Sequence, residues 1–350
     1  GLMEILKLKN PERIVFHEIT KEAIKNAIKN PSKINENMVY SQQARRLLDR
    51  LVGYKISPLL WKRMKGKLSA GRVQSVVVKI IKDKENDINN FLNGELNSFY
   101  KTTMELLIEE IKVKCNLINK NNKDLFEIKS DDIESFLDNF NKKTKYIINE
   151  IKISEVISSP SKPFITSTLQ QDASTKLGFT SKRTMMAAQK LYEAGFITYM
   201  RTDSYNLSKD ILKQCQNHIH SFYDKKYYNY RTFSAKSKNA QEAHEAIRPT
   251  KISKVNVDME NDCNKLYDLI WKRTLATQMA DAVYERNNIF IDCVNEKSIL
   301  PDGSIFNSII DTIKFNGYLI LYEKENEESL NLNKDMKTKF KKLNVTEEYN

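Results

Sequence analysis

The sequence predicts a multidomain α+β protein in which two helical regions alternate with two regions of antiparallel strands. At 350 residues the chain is long enough for two or more domains with separate cores. Apolar residues recur at three- and four-residue steps in 1–90 and 159–284, which is the period of helices. They alternate in short runs in 91–158 and 285–350, as half-buried strands do. We therefore expect 159–284 to be inserted between the two halves of one β domain.

The excess of basic residues favours a polyanionic partner. The chain has 57 lysines and arginines against 45 acidic residues, a formal net charge of +12. A lysine-rich composition inherited from an AT-rich genome would give the same total, so the total leaves both explanations open. Eleven of the basic residues fall in 41–82, with Asp49 as the only acidic residue there. A compositional bias would spread evenly, so this cluster predicts an anion-binding site.

The lack of a predicted targeting signal and the spacing of the cysteines indicate a cytoplasmic protein, with an organelle as the alternative. No run of about 18 apolar residues occurs, so no membrane span is predicted. Residues 1–6 lack the basic and apolar regions of a signal peptide and read as a cut within a helix. The cysteines are far apart and form no C-x-x-C pair, which indicates a reducing compartment rather than a zinc ribbon or a disulfide framework: Cys115, Cys215, Cys263 and Cys293.

The region 1–90 carries two helix signals and one phosphate-binding pattern. Thr20 is the expected N-cap of a helix that Pro31 ends. A second helix over 40–54 should end at Gly53 and bury one apolar stripe, made of Leu47, Leu48, Leu51 and Val52. The small residues of 69–72 would let the backbone approach a phosphate, with the N–H groups of the next helix facing it. An ordinary helix-start loop is the alternative.

The two strand regions are predicted to join one antiparallel sheet and carry no chemistry. The expected strands are 99–107, 111–117, 146–153, 288–294, 305–314, 318–322 and 342–347. A short helix is expected over 131–140.

The inserted region should open with two helices, 166–177 and 180–194, which Gly178 and Gly195 end. Two helices followed by a strand are typical of a winged helix-turn-helix. Further helices are expected from Ser208 towards 222 and over 261–279, the latter with its apolar face inward: Leu266, Leu269, Ile270 and Leu275.

The strand that follows Gly195 carries the most reactive pattern in the chain. Tyr199 and Arg201 are two residues apart, so on a strand they project from the same face. A fixed cation beside a phenol favours the phenolate and can also hold a phosphate, and tyrosine can form covalent intermediates. The alternative is an ordinary strand tyrosine beside a solvated arginine.

A second polar string, 241–250, contains His244 between charged neighbours. Its imidazole could act as a general acid or base, or bind phosphate. No H-E-x-x-H pattern occurs, so zinc is not predicted. His218 and His220 have no ligand-like partners and are interpreted as surface residues. Arg248 is interpreted as either a contact to an anionic partner or a structural residue.

Four strings resemble signatures of the type IA DNA topoisomerases, and they occur in the family's order: QQARRLLDR, LSAGRVQS, ITYMRTDS and AHEAIRPT, which begin at Gln42, Leu68, Ile197 and Ala243. The similarity runs over nearly the whole chain and favours the bacterial topoisomerase I branch. It implies a torus with a helical DNA-binding domain (1–90), a β arch (91–158 and 285–350) and an inserted, mainly helical, winged-helix-like lid (159–284) that carries the catalytic tyrosine.

The resemblance also implies roles for individual residues. Tyr199 would attack a phosphodiester of a single DNA strand, leaving a 5′-phosphotyrosine and a free 3′-OH. The implied catalytic residues are Tyr199, Arg201, Arg45, Asp49 and His244. The implied DNA-binding residues are Arg46, Arg50, Tyr54, Ser69, Gly71, Arg72, Gln74, Asp203 and Arg248. Asp49 could orient Arg45, and Tyr54 could stack on a base, although a core position for Tyr54 is equally compatible with the sequence.

The resemblance implies Mg²⁺ as cofactor, with its acidic ligands in a domain that would precede residue 1, and no ATP. No metal ligand is therefore expected in this chain, and the chain is expected to be a fragment or a shortened form. Relaxation of negatively supercoiled DNA by a monomer is the leading hypothesis. A non-catalytic single-stranded DNA-binding fragment, a topoisomerase III-like decatenase and a basic RNA-bound structural protein are the alternatives.

Overall fold

The protein is described from a computed structural model. The structure describes residues 5–9, 11–66, 68–94, 98–108, 111–233, 245–323, 332–333 and 336–349. The described helices of eight or more residues are α1 (Lys21–Lys29), α2 (Glu36–Arg63), α3 (Arg72–Leu92), α5 (Thr166–Leu177), α6 (Ser181–Glu193), α7 (Lys209–Phe222) and α8 (Asn261–Ala276). A short α-helix, α4 (Ile133–Asp138), lies within the strand region.

The first helical region confirms one predicted helix and corrects the other. Thr20 caps α1, since its hydroxyl accepts a hydrogen bond from the N–H of Ala23 at 3.2 Å. The predicted end of the second helix at Gly53 is wrong, because α2 continues through Gly53 and Pro58 to Arg63. A glycine weakens a helix by only about 1 kcal/mol, so favourable neighbours can carry the helix past it.

The apolar stripe of α2 is exposed, which overturns the predicted burial. Leu47, Leu48 and Leu51 keep 52–61% of their surface exposed. Helical spacing identifies an apolar face, whereas burial also requires a facing element. Val52, the fourth residue of the predicted stripe, is half-buried.

One antiparallel sheet contains the described strands from both sides of the insertion. These are β1 (Ser98–Ile108), β2 (Ile111–Asn119), β3 (Glu127–Lys129), β4 (Lys145–Ser158), β5 (Ala282–Val294), β6 (Ser304–Phe315) and β7 (Thr338–Tyr349). Their order is β3-β1-β2-β6-β5-β4, and β7 pairs with β1. The sheet therefore joins the two predicted strand regions, while the four domain boundaries themselves stay a prediction.

Two details of the strand region differ from the sequence prediction. The run 318–322, predicted as a strand, is part of a 3-10 helix, Gly317–Tyr322. Its tyrosines and isoleucine have strand propensity, but Leu319 and Leu321 are buried from a helical turn instead. The three-residue strand β3 was too short to show a pattern.

The inserted region has its own core. The predicted inward side chains of α8 (Leu266, Leu269, Ile270 and Leu275) are all buried there with residues of α5, α6 and α7. Gly178 ends α5 in the left-handed conformation, with φ of 66°. His218 is half-buried rather than a plain surface residue, because its ring packs edge-on against Trp271 with centroids 5.4 Å apart.

None of the described helices has an apolar stretch of the length that a bilayer crossing would require. The four cysteines are free thiols and all are buried.

Candidate active site

The segment that carries Tyr199 and Arg201 belongs to none of the described strands and bends at Thr198 and Met200. An isolated antiparallel bridge joins Ile197 to Pro249. The predicted strand is therefore wrong. The predicted common face is found nevertheless, because burial alternates along the segment: Met200 is buried, whereas Tyr199 and Arg201 are exposed on either side of it.

Thr198 joins this segment to the second signature string. Its hydroxyl donates to the carbonyl oxygen of Ala246 at 2.7 Å and accepts from the N–H of Arg248 at 3.0 Å. The N–H of Thr198 donates to the carbonyl oxygen of Arg248 at 3.0 Å. Thr198 is 1% exposed, so these bonds are shielded from water. They fix the backbone next to Tyr199.

A third segment, which the sequence analysis did not connect with the site, completes it. The N–H of Tyr199 donates to the carbonyl oxygen of His17 at 2.9 Å. A cavity of about 280 Å³ opens beside the phenol, named here the Tyr199 cavity, and its lining is Val15, Phe16, His17, Tyr192, Thr198, Tyr199, Arg201, Thr202 and Glu245. The only local signal was a histidine and a glutamate next to each other before the N-cap Thr20.

The ring of Tyr199 packs edge-on against Tyr192, with centroids 5.2 Å apart. Tyr199 remains 40% exposed, so its hydroxyl-bearing side chain can reach a ligand in the cavity. Burial, followed by the nearby charge of Tyr199, raises the pKa of the Tyr192 phenol above its usual value. Tyr192 therefore stays neutral and acts as a packing surface for the more exposed phenol.

Arg248 lies beneath the cavity and not on its surface. Its guanidinium forms ion pairs with Glu18 at 3.0 Å and with Glu245 at 2.6 Å, and its side chain is 7% exposed. It also donates to the carbonyl oxygen of Pro249 at 3.0 Å. Of the two predicted roles, this geometry fits the structural one, because a buried and doubly paired arginine has no donor turned towards a DNA backbone.

The predicted base-binding residues lie together in a second depression on α2. This groove of about 620 Å³, the α2 groove, is lined by Gln42, Arg45, Arg46, Asp49, Arg50, Gly53, Tyr54, Ser57, Pro58 and Trp61. Tyr54 is 77% exposed, which overturns its alternative interpretation as a core residue. The groove combines three guanidinium groups with two aromatic faces, a composition suited to the backbone and bases of a single nucleic-acid strand.

The start of α3 borders the α2 groove. Arg72 donates to the carboxylate of Asp49 at 3.0 Å, so Asp49 pairs with Arg72 and the predicted Asp49–Arg45 pair is wrong. The N–H of Ala70 donates to the hydroxyl of Ser57 at 3.0 Å, which ties the small-residue loop to α2. Ser69 contacts the side-chain oxygen of Gln74 at 3.4 Å. Gly71 is the N-cap of α3 and has no side chain to satisfy the first N–H groups of that helix.

The predicted site residues form two separate groups. Tyr199 and Arg201 line the Tyr199 cavity, and Asp203 is exposed two residues further along. Arg45, Arg46, Asp49, Arg50 and Tyr54 line the α2 groove, with no lining residue in common between the two. His244 lies outside the described residues, so its predicted role stays a prediction.

Within the described ranges, no group of three or more histidine, cysteine, aspartate or glutamate residues is arranged to hold a metal ion. The described residues therefore do not fit Mg²⁺.

Comparison with known proteins identifies the family. The family profile described as DNA topoisomerase matches residues 33–349. The chain belongs to the bacterial type IA DNA topoisomerase family. It is 40% identical over 343 residues to DNA topoisomerase 1 of Rickettsia bellii, an alignment covering 92% of this chain and 42% of that protein. It is 42% identical over 328 residues to DNA topoisomerase 1 of Campylobacter jejuni, covering 89% of this chain and 45% of that protein.

The fold matches that of a solved topoisomerase. Full-length topoisomerase I from Thermotoga maritima superposes with a TM-score of 0.75 at 32% identity, covering 100% of this chain and 56% of that one. With Escherichia coli DNA topoisomerase 1 the identity is 44% over 286 residues, covering 80% of this chain and 32% of that protein. The chain thus spans less than half the length of these curated topoisomerase relatives.

Proposed function

We propose that this chain supplies the nucleophile and part of the DNA path of an ATP-independent type IA topoisomerase. The enzyme would cleave one DNA strand, pass the other strand through the break and religate, which relaxes negatively supercoiled DNA. The observation that carries this proposal is the pairing of the exposed Tyr199 phenol with Arg201 in one cavity. Family membership adds the reaction class.

The proposed chemical step is a transesterification. The phenolic oxygen of Tyr199 forms a bond to phosphorus while the bond from phosphorus to the 3′ oxygen breaks. The phenol gives up its proton, and the departing 3′ oxygen takes one up to become a free hydroxyl. The products are a 5′-phosphotyrosine and a 3′-OH, and the reverse step restores the strand. Because the free energy of the broken phosphodiester bond is kept in the covalent link to tyrosine, the cycle needs no nucleoside triphosphate.

Arg201 is proposed to bind the phosphate that Tyr199 attacks. Negative charge builds on the non-bridging oxygens in the transition state, and a fixed guanidinium there stabilises it by about 3 kcal/mol. His244, as the resemblance implies, is proposed to assist at the same phosphate.

The α2 groove is proposed to hold the single strand upstream of the break. Arg45, Arg46 and Arg50 neutralise phosphates, and the exposed Tyr54 ring stacks on a base. The N-terminus of α3 lies beside this groove, and its first backbone N–H groups, for which Gly71 has no capping side chain, are proposed to face the same strand. We propose that the protein acts as a monomer in the cytoplasm, a reducing compartment in which its four free cysteines would remain thiols.

Covalent trapping tests the proposal. The protein is incubated with a 3′-end-labelled single-stranded oligonucleotide, Mg²⁺ and the acidic N-terminal domain that the resemblance implies, then quenched with detergent. We expect a labelled protein band that Tyr199→Phe abolishes. Tyr230→Phe is the matched control, since Tyr230 is 57% exposed in the same inserted region and does not line the cavity. An adduct of equal yield in Tyr199→Phe would refute the nucleophile.

A further inference from the structure

The segment 13–19, the wall segment, belongs structurally to the first helical region. The N–H of Arg13 donates to the carbonyl oxygen of Ser32 at 2.7 Å, and the N–H of Ser32 donates back at 2.8 Å. Thr20, directly after the wall segment, caps α1. The wall segment is therefore tied to α1 and to the chain entering α2, and it moves with them.

The same segment forms one side of the Tyr199 cavity, which otherwise consists of the inserted region. Val15, Phe16 and His17 line the cavity, and the carbonyl oxygen of His17 accepts from the N–H of Tyr199. The carbonyl oxygen of Ile19 lies so close to Gly195 that an added Cβ there would be 2.6 Å from it. The nucleophile thus lies at the boundary between the wall segment and the inserted region, which is named here the seam.

One ion pair between a buried arginine and a half-buried glutamate crosses this seam. Glu18 of the wall segment contacts Arg248 of the inserted region at 3.0 Å, and their side chains are 19% and 7% exposed. Arg248 also holds Glu245, three residues before it on the same side of the seam, at 2.6 Å. Two carboxylates therefore share one guanidinium, and only one of them lies across the seam.

We propose that Glu18 and Arg248 are positioning residues for Tyr199, and that their ion pair is a latch between the wall segment and the inserted region. Closed, the latch holds the His17 carbonyl against the nucleophile's backbone and completes the cavity. Open, it releases the inserted region along the seam, which is the separation that passage of a second strand requires. The inference rests on the proposed function.

The arrangement of charges makes the latch reversible. When the seam opens, Arg248 keeps Glu245 as a partner, while Glu18 moves with the wall segment into water. Separating a buried ion pair is normally very unfavourable, because it leaves an unpaired charge in the protein interior. Here neither charge would be left buried and unpaired. In the closed state Glu18 Oε2, Glu245 Oε1 and Arg248 Nε are buried without a well-aligned hydrogen bond from any described residue. An incompletely satisfied polar cluster separates at lower cost than a satisfied one.

A distance measurement across the seam tests the latch without DNA. Spin labels on Lys29→Cys in α1 and Met186→Cys in α6 lie on opposite sides, and both positions are exposed. The native cysteines are buried and do not compete for the label. We expect one narrow distance distribution in the parent protein and a broader one, shifted to longer distances, in Glu18→Gln.

Three further variants assign the effect to the seam. Glu22→Gln removes an exposed carboxylate from α1 and should leave the distribution unchanged. Glu245→Gln removes the partner on Arg248's own side and should also leave the distribution narrow. Glu18→Asp keeps the charge and should broaden the distribution less than Glu18→Gln. An unchanged distribution in Glu18→Gln, or equal broadening in Glu245→Gln or Glu18→Asp, overturns the proposal.

A kinetic measurement separates positioning from general damage. At saturating oligonucleotide, Glu18→Gln should form the adduct about tenfold more slowly, because small displacements of a reacting group lower the rate strongly. Its affinity for the oligonucleotide should not change, because the α2 groove is untouched. Equal losses in rate and affinity would contradict a positioning role. Tyr199→Phe should keep the narrow distance distribution, so failure of the latch and failure of the nucleophile are distinguishable.

Discussion

The backbone N–H of Tyr199 donates a hydrogen bond to the carbonyl oxygen of His17 at 2.9 Å. The proposed nucleophile is therefore held by a segment from the far end of the sequence, and not only by its neighbours in the inserted region. Rigid support of this kind lets a side chain stay exposed while its backbone remains fixed. It also makes the reactive geometry sensitive to changes in the wall segment.

Replacing Arg201 should slow cleavage without abolishing DNA binding. Loss of a fixed cation from the transition state costs about 100-fold in rate. We expect Arg201→Ala to lower the single-turnover rate of adduct formation by about that factor, and Arg201→Lys by less, since a lysine keeps the charge but loses the fork geometry. Arg183→Ala is the control, because Arg183 pairs with Asp262 outside the Tyr199 cavity. A normal rate of adduct formation in Arg201→Ala would show that Arg201 does not take part in cleavage.

Replacing Tyr54 should weaken binding of single-stranded DNA. A stacked base contributes about 1–3 kcal/mol, so Tyr54→Ala should raise the dissociation constant by roughly 5- to 150-fold. Tyr54→Phe keeps the ring and should bind almost normally. Tyr40→Ala is the matched control, since Tyr40 is 61% exposed on the same helix and does not line the groove. Fluorescence anisotropy at fixed salt measures all four proteins, and equal affinities would argue against stacking.

Gly195→Ala should damage the site more than Gly178→Ala. Both glycines have positive φ, of 76° and 66°, so both alanines carry backbone strain of about 1–2 kcal/mol. At Gly195 the new Cβ would also collide with the carbonyl oxygen of Ile19, whereas nothing lies within 4 Å at Gly178. We expect thermal unfolding to shift down in both variants, and adduct formation to slow only in Gly195→Ala. Equally slow adduct formation in Gly178→Ala would show that backbone strain, and not the collision with Ile19, is responsible for the loss of rate.

The stability of the inserted region should fall as the pH decreases below neutrality. Burial lowers the pKa of His218 below its ordinary value of 6.5. The unfolded chain therefore binds more protons than the folded chain as the pH falls through 6.5, so the free energy of unfolding decreases there. Urea unfolding between pH 7.5 and 5 measures the slope. His218→Gln should have a shallower slope, and parallel curves for the two proteins would contradict the assignment.

Local signals predicted elements well where a short stretch of chain is sufficient. The Thr20 and Thr180 caps accept the expected backbone N–H groups at 3.2 Å, and Gly178 ends its helix in the left-handed conformation. The end of α2 was missed because glycine and proline only oppose a helix, and the surrounding residues carry it past Gly53 and Pro58.

Burial was predicted less well, because it depends on what faces a residue. Leu47 was expected in a core and is exposed, while Arg248 was a possible DNA contact and is buried between two carboxylates. Asp49 was paired with a neighbour on its own helix, and the structure pairs it with Arg72 of the next helix. For Arg248 and Asp49 the deciding partner, Glu18 or Arg72, belongs to another part of the chain.

The sequence by itself determined the family, the basic segment and most helix and strand positions, and it singled out the tyrosine and arginine that are proposed to act in cleavage, because each depends on residues within a few turns or on motifs read directly. Only the tertiary structure decided that the wall segment closes the Tyr199 cavity. It also decided that the ion pair of Glu18 with Arg248 joins the wall segment to the inserted region. Such contacts bring together segments that are far apart in the chain, and their formation depends on how whole domains pack, a property that no local pattern carries.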